Sequence, residues 1–366
     1  MMSRLFRRWF KRNFSNPQAV ILALLLFSGF ILIFLMGKIL MPLLVAIVLA
    51  YLLDWAVSAL QKYNVPRLLA VVIVFIGFCT ISLAIIIGIV PLLGHQVELL
   101  FTDLPSMATK IQTKLLALPE LYPELVTREQ LERVIQQLGG GLSNIGDILF
   151  SFSLASFKNI VTIMVYMIIV PLLLFFFLKD KKTILDWLTR WVPKQRQLSM
   201  RVWREVDIQI GNYVRGKVVE IFVVGIATYI SFVVFNLNYA ALLSVLVGLS
   251  VLVPYIGATL VTIPVALVGL IQFGTGDTFL YLMIAYLVIQ ALDGNLLVPL
   301  LFSETNNLHP VAIITAVLFF GGIWGFWGVF FAIPLATLVV AVIDALDESK
   351  SADELNMPDK LNSVDG

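Results

Sequence analysis

Long apolar runs separated by short polar breaks make up most of this chain. In the first quarter they cover residues 19–36, 39–53 and 68–93. A helix needs about 20 apolar residues to cross the hydrocarbon core of a membrane, so these runs predict membrane spans. The polar pair Gly37-Lys38 separates the first two runs. We therefore interpret those two runs as a helical hairpin.

Residues 94–152 have a different pattern, in which apolar side chains recur at helical spacing between charged ones. Such spacing is typical of amphipathic helices. We interpret this segment as a helical insert that packs on other helices of the same protein, with a dedicated ligand-binding role as the alternative. Apolar runs resume at 154–178 and 218–235 and predict a fourth and a fifth span.

The most informative run covers residues 240–301, which are nearly all apolar but are interrupted at 253–257 and at 290–295. Backbone groups freed by a helix break are costly in hydrocarbon unless protein or a water-filled cavity satisfies them. Transporters use broken helices to form substrate and ion sites near the membrane midplane. We therefore predict the transport core here, built either from a re-entrant hairpin or from two short crossings.

A second broken run covers residues 310–342, where the glycine-rich residues 321–328 separate two apolar halves. Its second half contains Ile333-Pro334, as the earlier run contains Ile263-Pro264. This likeness suggests two related hairpins, with chance similarity between apolar segments as the alternative. The pattern predicts an all-α polytopic membrane protein in which two of the apolar segments are broken or re-entrant hairpins. Its predicted segments are a basic N-terminus with three spans (1–93), the extracytoplasmic helical insert (94–153), a fourth span with a basic cytoplasmic amphipathic linker (154–217), the transport core (218–345) and an acidic disordered tail (346–366).

Composition and charge agree with a membrane location. The 366 residues are 60% hydrophobic and 13% charged, with a mean hydropathy of +0.97, whereas soluble domains are about 25% charged. The stretch 179–217 has ten Lys and Arg residues against four acidic ones, and the N-terminus is basic as well. Because Lys and Arg are enriched in cytoplasmic loops, both segments are predicted to be cytoplasmic, with four spans between them and the insert outside.

Asp293 is the strongest candidate for a functional side chain. A carboxylate in an apolar span costs about 2.5–3.5 kcal/mol on insertion scales, so it normally faces a cavity or a partner. Asp293 could therefore bind a substrate or an ion, or it could be a helix-end carboxylate that holds the backbone N–H groups of Gly294 and Asn295. The sequence leaves both interpretations open.

Other polar residues of the predicted core are weaker candidates. Asn295 and Gln290 could hydrogen-bond a polar solute, and Glu220 could either pair with Arg215 or Lys217 or take part in transport. The residues predicted to shape the helix breaks are Pro254, Tyr255, Gly257, Gly294, Pro299, Gly325, Gly328 and Pro334.

Several kinds of chemistry find no support in the sequence. There is no Gly-x-x-x-x-Gly-Lys-[Ser/Thr] phosphate loop, no nucleophile elbow and no His-Glu-x-x-His pattern. The two histidines, His95 and His309, are far apart in the sequence and indicate no metal site. His309 precedes Pro310 and is interpreted as a helix start, with a proton relay as the alternative. We expect no enzymatic activity, no cofactor, no metal and no nucleic-acid partner.

Together these motifs resemble the autoinducer-2 exporter family, also called PerM-like permeases. The similarity covers about residues 15–345 and is strongest to the PerM branch. The motifs that carry it are Val253-Pro254-Tyr255-Ile256-Gly257, Asp293-Gly294-Asn295-Leu296-Leu297-Val298-Pro299, Leu308-His309-Pro310, Trp324-Gly325-Phe326-Trp327-Gly328 leading to Ile333-Pro334, and Phe177-Leu178-Lys179-Asp180.

The resemblance implies a multi-pass protein of the bacterial inner membrane with about eight transmembrane segments and both termini in the cytoplasm. It also implies a homo-oligomer, which we expect to be a pentamer. The function that follows is secondary transport of a small polar solute, for example export of the quorum-sensing signal autoinducer-2, with proton or sodium coupling through Asp293. The alternatives are a sodium–proton antiporter and a channel-like or scaffolding membrane oligomer. Apart from the lipid bilayer, the expected partner is the small-molecule or ion substrate.

Overall fold

The computed structural model describes residues 17–121, 162, 164–190, 197–254, 256–302 and 309–355. Within those ranges all regular elements are helical, as the sequence predicts. Tyr255, the N-terminal residues 1–16 and most of the predicted insert lie outside them. The helices are α1 (Pro17–Lys62), α2 (Arg67–Ala84), α3 (Val90–Leu121), α4 (Met164–Lys179), α5 (Lys181–Thr189), α6 (Gln197–Val234), α7 (Ala240–Ser250), α8 (Ile256–Phe273), α9 (Asp277–Leu292), α10 (Val298–Phe302), α11 (Pro310–Trp324) and α12 (Phe326–Leu355).

The first helix corrects the prediction of an N-terminal hairpin. α1 runs without interruption through Gly37-Lys38 for 46 residues, which gives it a length of about 69 Å. Glycine inside a helix costs only about 1 kcal/mol relative to alanine, and lysine is a good helix former. A break would instead leave unsatisfied backbone groups in an apolar segment. The polar pair therefore interrupts the hydropathy pattern without ending the helix.

Three other predicted boundaries are also continuous helix. α2 passes through a π-helical turn at Ile85–Ile89 directly into α3, so the third predicted span and the start of the insert form one rod. α6 joins the basic amphipathic linker to the fifth predicted span in a single helix of 38 residues. α12 extends to Leu355, so the first part of the tail predicted to be disordered, residues 346–355, is helical.

Five helical segments in the described part of the chain are long and apolar enough to cross a membrane. They are Ile39–Lys62, Arg67–Lys110, Asp207–Val234, Ile256–Phe273 and Asp277–Phe302. Four shorter apolar helices accompany them, and the shortest, α7, has 11 residues and measures about 16 Å. The protein is therefore a multi-pass membrane protein with helices of clearly different lengths.

The chain forms two compact units, each assembled from separate stretches of sequence. Unit 1 comprises Met1–Val71, Leu173–Lys217 and Phe302–Gly366, and unit 2 comprises Val72–Leu172 and Val218–Leu301. The predicted transport core thus contributes to both units, because residues 218–301 belong to unit 2 and the following ones to unit 1. The segment boundaries given above stay predictions.

Unit 2 is held together by close packing of α6 and α7. A Cβ atom on Gly248 would lie 2.9 Å from the Ile221 carbonyl oxygen and 3.1 Å from the Cα atom of Gly225. Small residues let helix backbones approach in this way in membrane proteins. Around this crossing, side chains of α3, α8 and α9 complete an apolar core, with Phe232, Leu282 and others fully buried.

The start of α7 is fixed by side chains of α3. The Leu242 N–H donates to Gln96 Oε1 over 2.8 Å, and the Tyr239 hydroxyl donates to Asp103 Oδ2 over 2.5 Å. Burial, with the hydrogen bond and the negative charge of Asp103, raises the pKa of Tyr239 to about 12. The tyrosine therefore remains a neutral donor at physiological pH. These contacts compensate for a helix start that has no cap from its own N-cap side chain.

In unit 1, α11 and α12 form a tight hairpin. His309 begins it by accepting a hydrogen bond from the Val311 N–H through Nδ1, which confirms the predicted helix-start role. Gly325 separates the two helices with φ +59° and ψ −134°, a conformation that favours glycine. Pro334 lies inside α12 and has no N–H to donate to the Phe330 carbonyl four residues before it. The Tyr213 hydroxyl of α6 donates to that carbonyl instead, over 3.2 Å.

Replacing Tyr213 with phenylalanine should destabilise unit 1. The aromatic packing on Phe302 and Phe330 would persist, but the buried carbonyl next to Pro334 would lose its donor, at a cost of about 1–3 kcal/mol. Thermal unfolding of the purified variant in detergent should show a clearly lower midpoint than wild type. Tyr281→Phe is the matched control because that ring is 59% exposed. Equal midpoints for both variants would contradict a stabilising hydrogen bond from the Tyr213 hydroxyl to the Phe330 carbonyl.

Candidate functional site

The functional turn predicted around Asp293 is a widened segment of one continuous helix. α9 ends at Leu292 and leads into a π-helical turn, Asp293–Leu297, followed by α10. Across the turn the Val298 N–H donates to the Asp293 carbonyl, five residues back instead of four. The prediction of a helix break at 290–295 is thus wrong, because the chain remains helical there and only widens into a π-turn. π-turns of this kind occur frequently at functional sites.

Pro299 explains why the helix widens at this point. A proline ring inside an α-helix clashes with the carbonyl four residues before it and provides no N–H group. In this chain that carbonyl belongs to Asn295, within the π-turn. The extra residue in the turn relieves the conflict without unwinding the helix. Gly294 contributes little to this geometry, because it is exposed and a Cβ atom there would meet nothing within 4 Å.

Asp293 is half-buried, and its Oδ1 atom is shielded from solvent. It lies at the first position of the π-turn, where the backbone of the span is locally widened. An acidic side chain at this depth in an apolar helix is costly and usually marks a substrate or ion pathway. The geometry therefore provides a partly enclosed negative charge beside a local irregularity of the backbone.

The two amide candidates differ in what they can offer a solute. Asn295 is exposed and donates from Nδ2 to the Ala291 carbonyl over 2.8 Å, so part of its hydrogen-bonding capacity stabilises the π-turn itself. Gln290 has a buried Nε2 atom with no hydrogen-bond partner among the residues described. A buried donor without a partner costs about 1–3 kcal/mol. Gln290 is therefore the better placed of the two to bind a polar group.

Tyr286 extends this polar surface along α9 and was not predicted from the sequence. It precedes Gln290 by four residues and Asp293 by seven, so all three lie on one face of the helix. Its hydroxyl shares a hydrogen bond of 2.9 Å with Thr262 Oγ1 of α8, and its ring is fully buried. The helical spacing to Asp293 was the only signal in the sequence, and tyrosine at such spacing is common in apolar cores.

Glu220 lies apart from this face of α9, on α6. It is only 2% exposed, and the neighbouring Ile221 packs on the same apolar cluster as Leu297 of the π-turn. Thr228, two turns further along α6, is completely buried and its hydroxyl has no hydrogen-bond partner in the described part of the chain. Unit 2 thus contains several buried polar groups. The pairing of Glu220 with Arg215 or Lys217 stays a prediction.

Two more of the predicted residues, Gly257 and Gly328, lie in the first turn of the second helix of each hairpin, and Tyr255 lies outside the described residues. Pro254 lies in the turn between α7 and α8. A Cβ atom on Gly257 would lie 1.8 Å from the Ser250 carbonyl oxygen, and one on Gly328 would lie 1.8 Å from the Phe320 carbonyl oxygen. Both hairpins therefore bring the second helix onto the backbone of the first at a glycine. This geometry strengthens the internal likeness that the sequence suggested.

Among the residues described, no group of three or more His, Cys, Asp or Glu side chains could hold a metal ion. The Asp293 turn itself offers carboxylate, amide and backbone oxygens. Oxygen ligands suit hard cations such as alkali and alkaline-earth ions. The same groups can bind the hydroxyl groups of a small polar solute.

Comparison with known proteins agrees with this architecture. Residues 8–348 match the protein family described as "AI-2E family transporter". PerM of Escherichia coli (strain K12), which is named as a permease, is 48% identical over 96% of this chain and 100% of its own length. YueF of Bacillus subtilis (strain 168), named as a transport protein, is 27% identical over 82% of each chain.

YrrI of the same Bacillus strain, also named as a transport protein, is 27% identical over 82% of this chain and 84% of its own length. The family match spans both hairpins, the π-turn and nearly all of the described helices. The resemblance inferred from the motifs is thereby confirmed: this chain belongs to the AI-2E transporter family.

Proposed function

We propose that this protein is a secondary transporter of a small polar solute and that Asp293 forms part of its substrate or ion site. The observation that carries the proposal is the π-turn of α9, which holds a half-buried carboxylate next to the buried Gln290 donor. Family membership supports transport as the general activity. The identity of the solute and of the coupling ion is our proposal beyond that general activity.

Autoinducer-2 is our first candidate solute because its several hydroxyl groups match a site with one carboxylate and two amides. We further propose that solute transport is coupled to the movement of a proton or a sodium ion through Asp293. A carboxylate can take up a proton or bind a sodium ion, and either step would neutralise its charge before the span rearranges. Export is the direction that the resemblance to the autoinducer-2 exporter family implies.

A sodium–proton antiporter is the second candidate function. Asp293 favours it, because competition between H⁺ and Na⁺ for one carboxylate is sufficient for exchange. In proteoliposomes, a transporter of autoinducer-2 should exchange labelled solute across the membrane at equal ion concentrations on both sides. An antiporter should show no such exchange but should acidify or alkalinise the lumen when sodium is added. Failure of both assays would contradict the proposal.

Gln290→Leu should reduce solute transport about five- to tenfold while leaving folding unchanged. Leucine is similar in size to glutamine but has no hydrogen-bond donor. A hydrogen bond lost from a bound group is worth about 1–1.5 kcal/mol. Initial rates in proteoliposomes measure the effect. The control is Gln272→Leu, because Gln272 bonds the loop at Asn236 and Asn238 instead. A Gln290→Leu rate equal to wild type would remove this residue from the site.

We propose that the linker at 179–217 and the C-terminus face the cytoplasm and that the protein resides in the bacterial inner membrane as a homo-oligomer. The ten basic residues of the linker support this orientation. Because the uninterrupted α1 replaces two predicted spans by one, the number of spans before residue 179 becomes odd. An odd number opposes a cytoplasmic N-terminus when the linker is cytoplasmic, and only the basic residues of the N-terminus favour it. Reporter fusions at both ends test the topology, and native mass spectrometry tests the expected pentamer.

A further inference from the structure

Unit 1 contains a cavity of about 200 Å³ that the proposed transport site does not use. It lies between α1, the end of α4, α5 and the part of α6 that belongs to unit 1. Most of its wall is apolar and comes from Ile47, Ala50, Phe177, Ile184 and Leu185. Four polar side chains also line it, namely Tyr51, Asp54, Lys181 and Asp207. An apolar cavity with a few convergent polar groups is the usual form of a small-molecule site.

One of the two carboxylates in this cavity is already neutralised. Asp54 Oδ2 accepts a hydrogen bond from Lys181 Nζ over 2.9 Å, and its Oδ1 lies 4.0 Å from Arg67 Nη2. Arg67 is held in place because the same nitrogen donates to the Leu178 carbonyl over 2.8 Å. These contacts form a fixed ionic group at one side of the cavity and leave little capacity for an additional cation there.

The other carboxylate has no such compensation. Asp207 Oδ1 accepts a hydrogen bond from the neutral Tyr51 hydroxyl over 2.5 Å. Among the side chains that the structure describes, none forms an ion pair with Asp207, although Asp207 is half-buried and lines the cavity together with its apolar walls and Lys181. A carboxylate in such surroundings is stabilised strongly by a cation with hydrogen-bond donors. The cavity therefore presents a half-buried carboxylate that is bonded to the neutral Tyr51 hydroxyl and lies next to an apolar surface, with the Asp54–Lys181 pair as the other charged group of its lining.

We propose that this cavity binds the ammonium group of an amphipathic amine, with Asp207 as the counter-ion and the apolar walls in contact with the hydrocarbon part. An ammonium group has three donors and matches Asp207 and the Tyr51 oxygen. A metal ion would require more oxygen ligands than this cavity offers. The volume is below the 300–1,000 Å³ or so of sites for drug-sized ligands, which limits the occupant to a short amine or one end of a longer molecule.

Two sources could supply this chemistry. One is a soluble aliphatic amine, and the other is the ethanolamine headgroup of a phospholipid. Basic residues at the adjoining helix ends, Lys62, Lys179 and Lys182, are typical of the membrane surface at the cytoplasmic side. At that depth either source can reach the cavity. The shared feature is a primary ammonium group attached to an apolar body.

The test uses the full-length protein in nanodiscs of phosphatidylcholine, with n-hexylammonium as the probe and isothermal titration calorimetry as the readout. Hexanoate and hexanol, which have the same body with a negative and a neutral end, are the control ligands. We expect saturable binding of hexylammonium and none of the other two. Equal binding of hexanoate, or no saturable binding of hexylammonium, would overturn the proposal.

Two variants test whether this cavity is the site. Asp207→Asn retains an acceptor for Tyr51 but removes the charge, and should weaken binding about 10- to 100-fold. Ala50→Leu keeps all four polar groups but fills the cavity, and should weaken binding to a similar degree. Asp277→Asn, at the exposed start of α9 in unit 2, should bind as wild type does. Wild-type affinity in both cavity variants would overturn the assignment, and unchanged thermal midpoints establish that the variants are folded.

Nanodiscs that contain phosphatidylethanolamine distinguish the two sources. If the lipid headgroup is the natural occupant, hexylammonium should bind at least tenfold more weakly in those nanodiscs than in pure phosphatidylcholine. Equal affinity in both lipids assigns the cavity to a soluble amine. Binding that stays the same for Asp207→Asn in both lipids would show partitioning into the bilayer and would contradict the proposed site.

Discussion

Replacing Gly257 or Gly328 with alanine is expected to prevent stable folding of the corresponding hairpin. In each case the new Cβ atom would lie 1.8 Å from a backbone carbonyl oxygen of the preceding helix. Backbone atoms cannot move aside as a flexible side chain can, so the two helices would have to separate. Overpacking of this kind costs about 3 kcal/mol or more, which is a large part of the stability of most proteins.

Alanine at Gly77 and Gly322 provides the controls for these variants. Both glycines are helical, and a Cβ atom at either one would meet nothing within 4 Å. Those substitutions should leave the protein as stable as wild type or slightly more stable, because alanine is the better helix former. Yield of monodisperse protein and the thermal midpoint measure the difference. Comparable behaviour of all four variants would show that the close helix contact does not exist.

The second large effect is expected for Asp293→Asn. Asparagine has nearly the same shape, so the π-turn and the fold should persist, while the negative charge at the site is lost. Interactions with a charged group are worth about 1.5–3 kcal/mol, which corresponds to a reduction in transport of about 10- to 100-fold. Asp293→Glu keeps the charge at a changed distance and should retain part of the activity.

Asp277→Asn is the matched control for that experiment. Asp277 begins α9, the same helix, but is exposed and lies far along it from the π-turn. Its replacement should change transport less than about twofold. A folded Asp293→Asn variant that transports at the wild-type rate would identify Asp293 as a structural residue of the turn.

The hairpin turns could be predicted from the sequence because they depend on local requirements. Gly325 has a positive φ, and Gly257 and Gly328 lie against the backbone of the preceding helix. Because only glycine fits such positions without strain, the glycines in the sequence indicate where the turns lie. Helix ends were harder to predict. Gly37-Lys38 changes the hydropathy of the chain but carries no strong helix-breaking residue, and α1 passes through it. Polarity indicates where a helix could meet the membrane surface, whereas continuity depends on backbone hydrogen bonds.

The candidate site was predictable only in part for a similar reason. Asp293 is conspicuous in the sequence because a carboxylate in an apolar run is rare. The π-turn that widens the helix around it depends on the combined effect of Pro299 and the surrounding packing. The contacts of Tyr213 with the Phe330 carbonyl and of Tyr51 with Asp207 join residues more than 100 positions apart. No local pattern identifies such pairs.

Transport through the Asp293 turn is tested most directly by the flux of labelled autoinducer-2 and of sodium into proteoliposomes under an imposed pH gradient, with wild type and Asp293→Asn compared side by side. We expect wild type to move one of these substrates at a rate that follows the gradient, and we expect the variant to lose this flux. Purified, folded wild-type protein that moves neither substrate, or a variant with undiminished gradient-driven flux, would contradict a transporter that operates through the Asp293 turn.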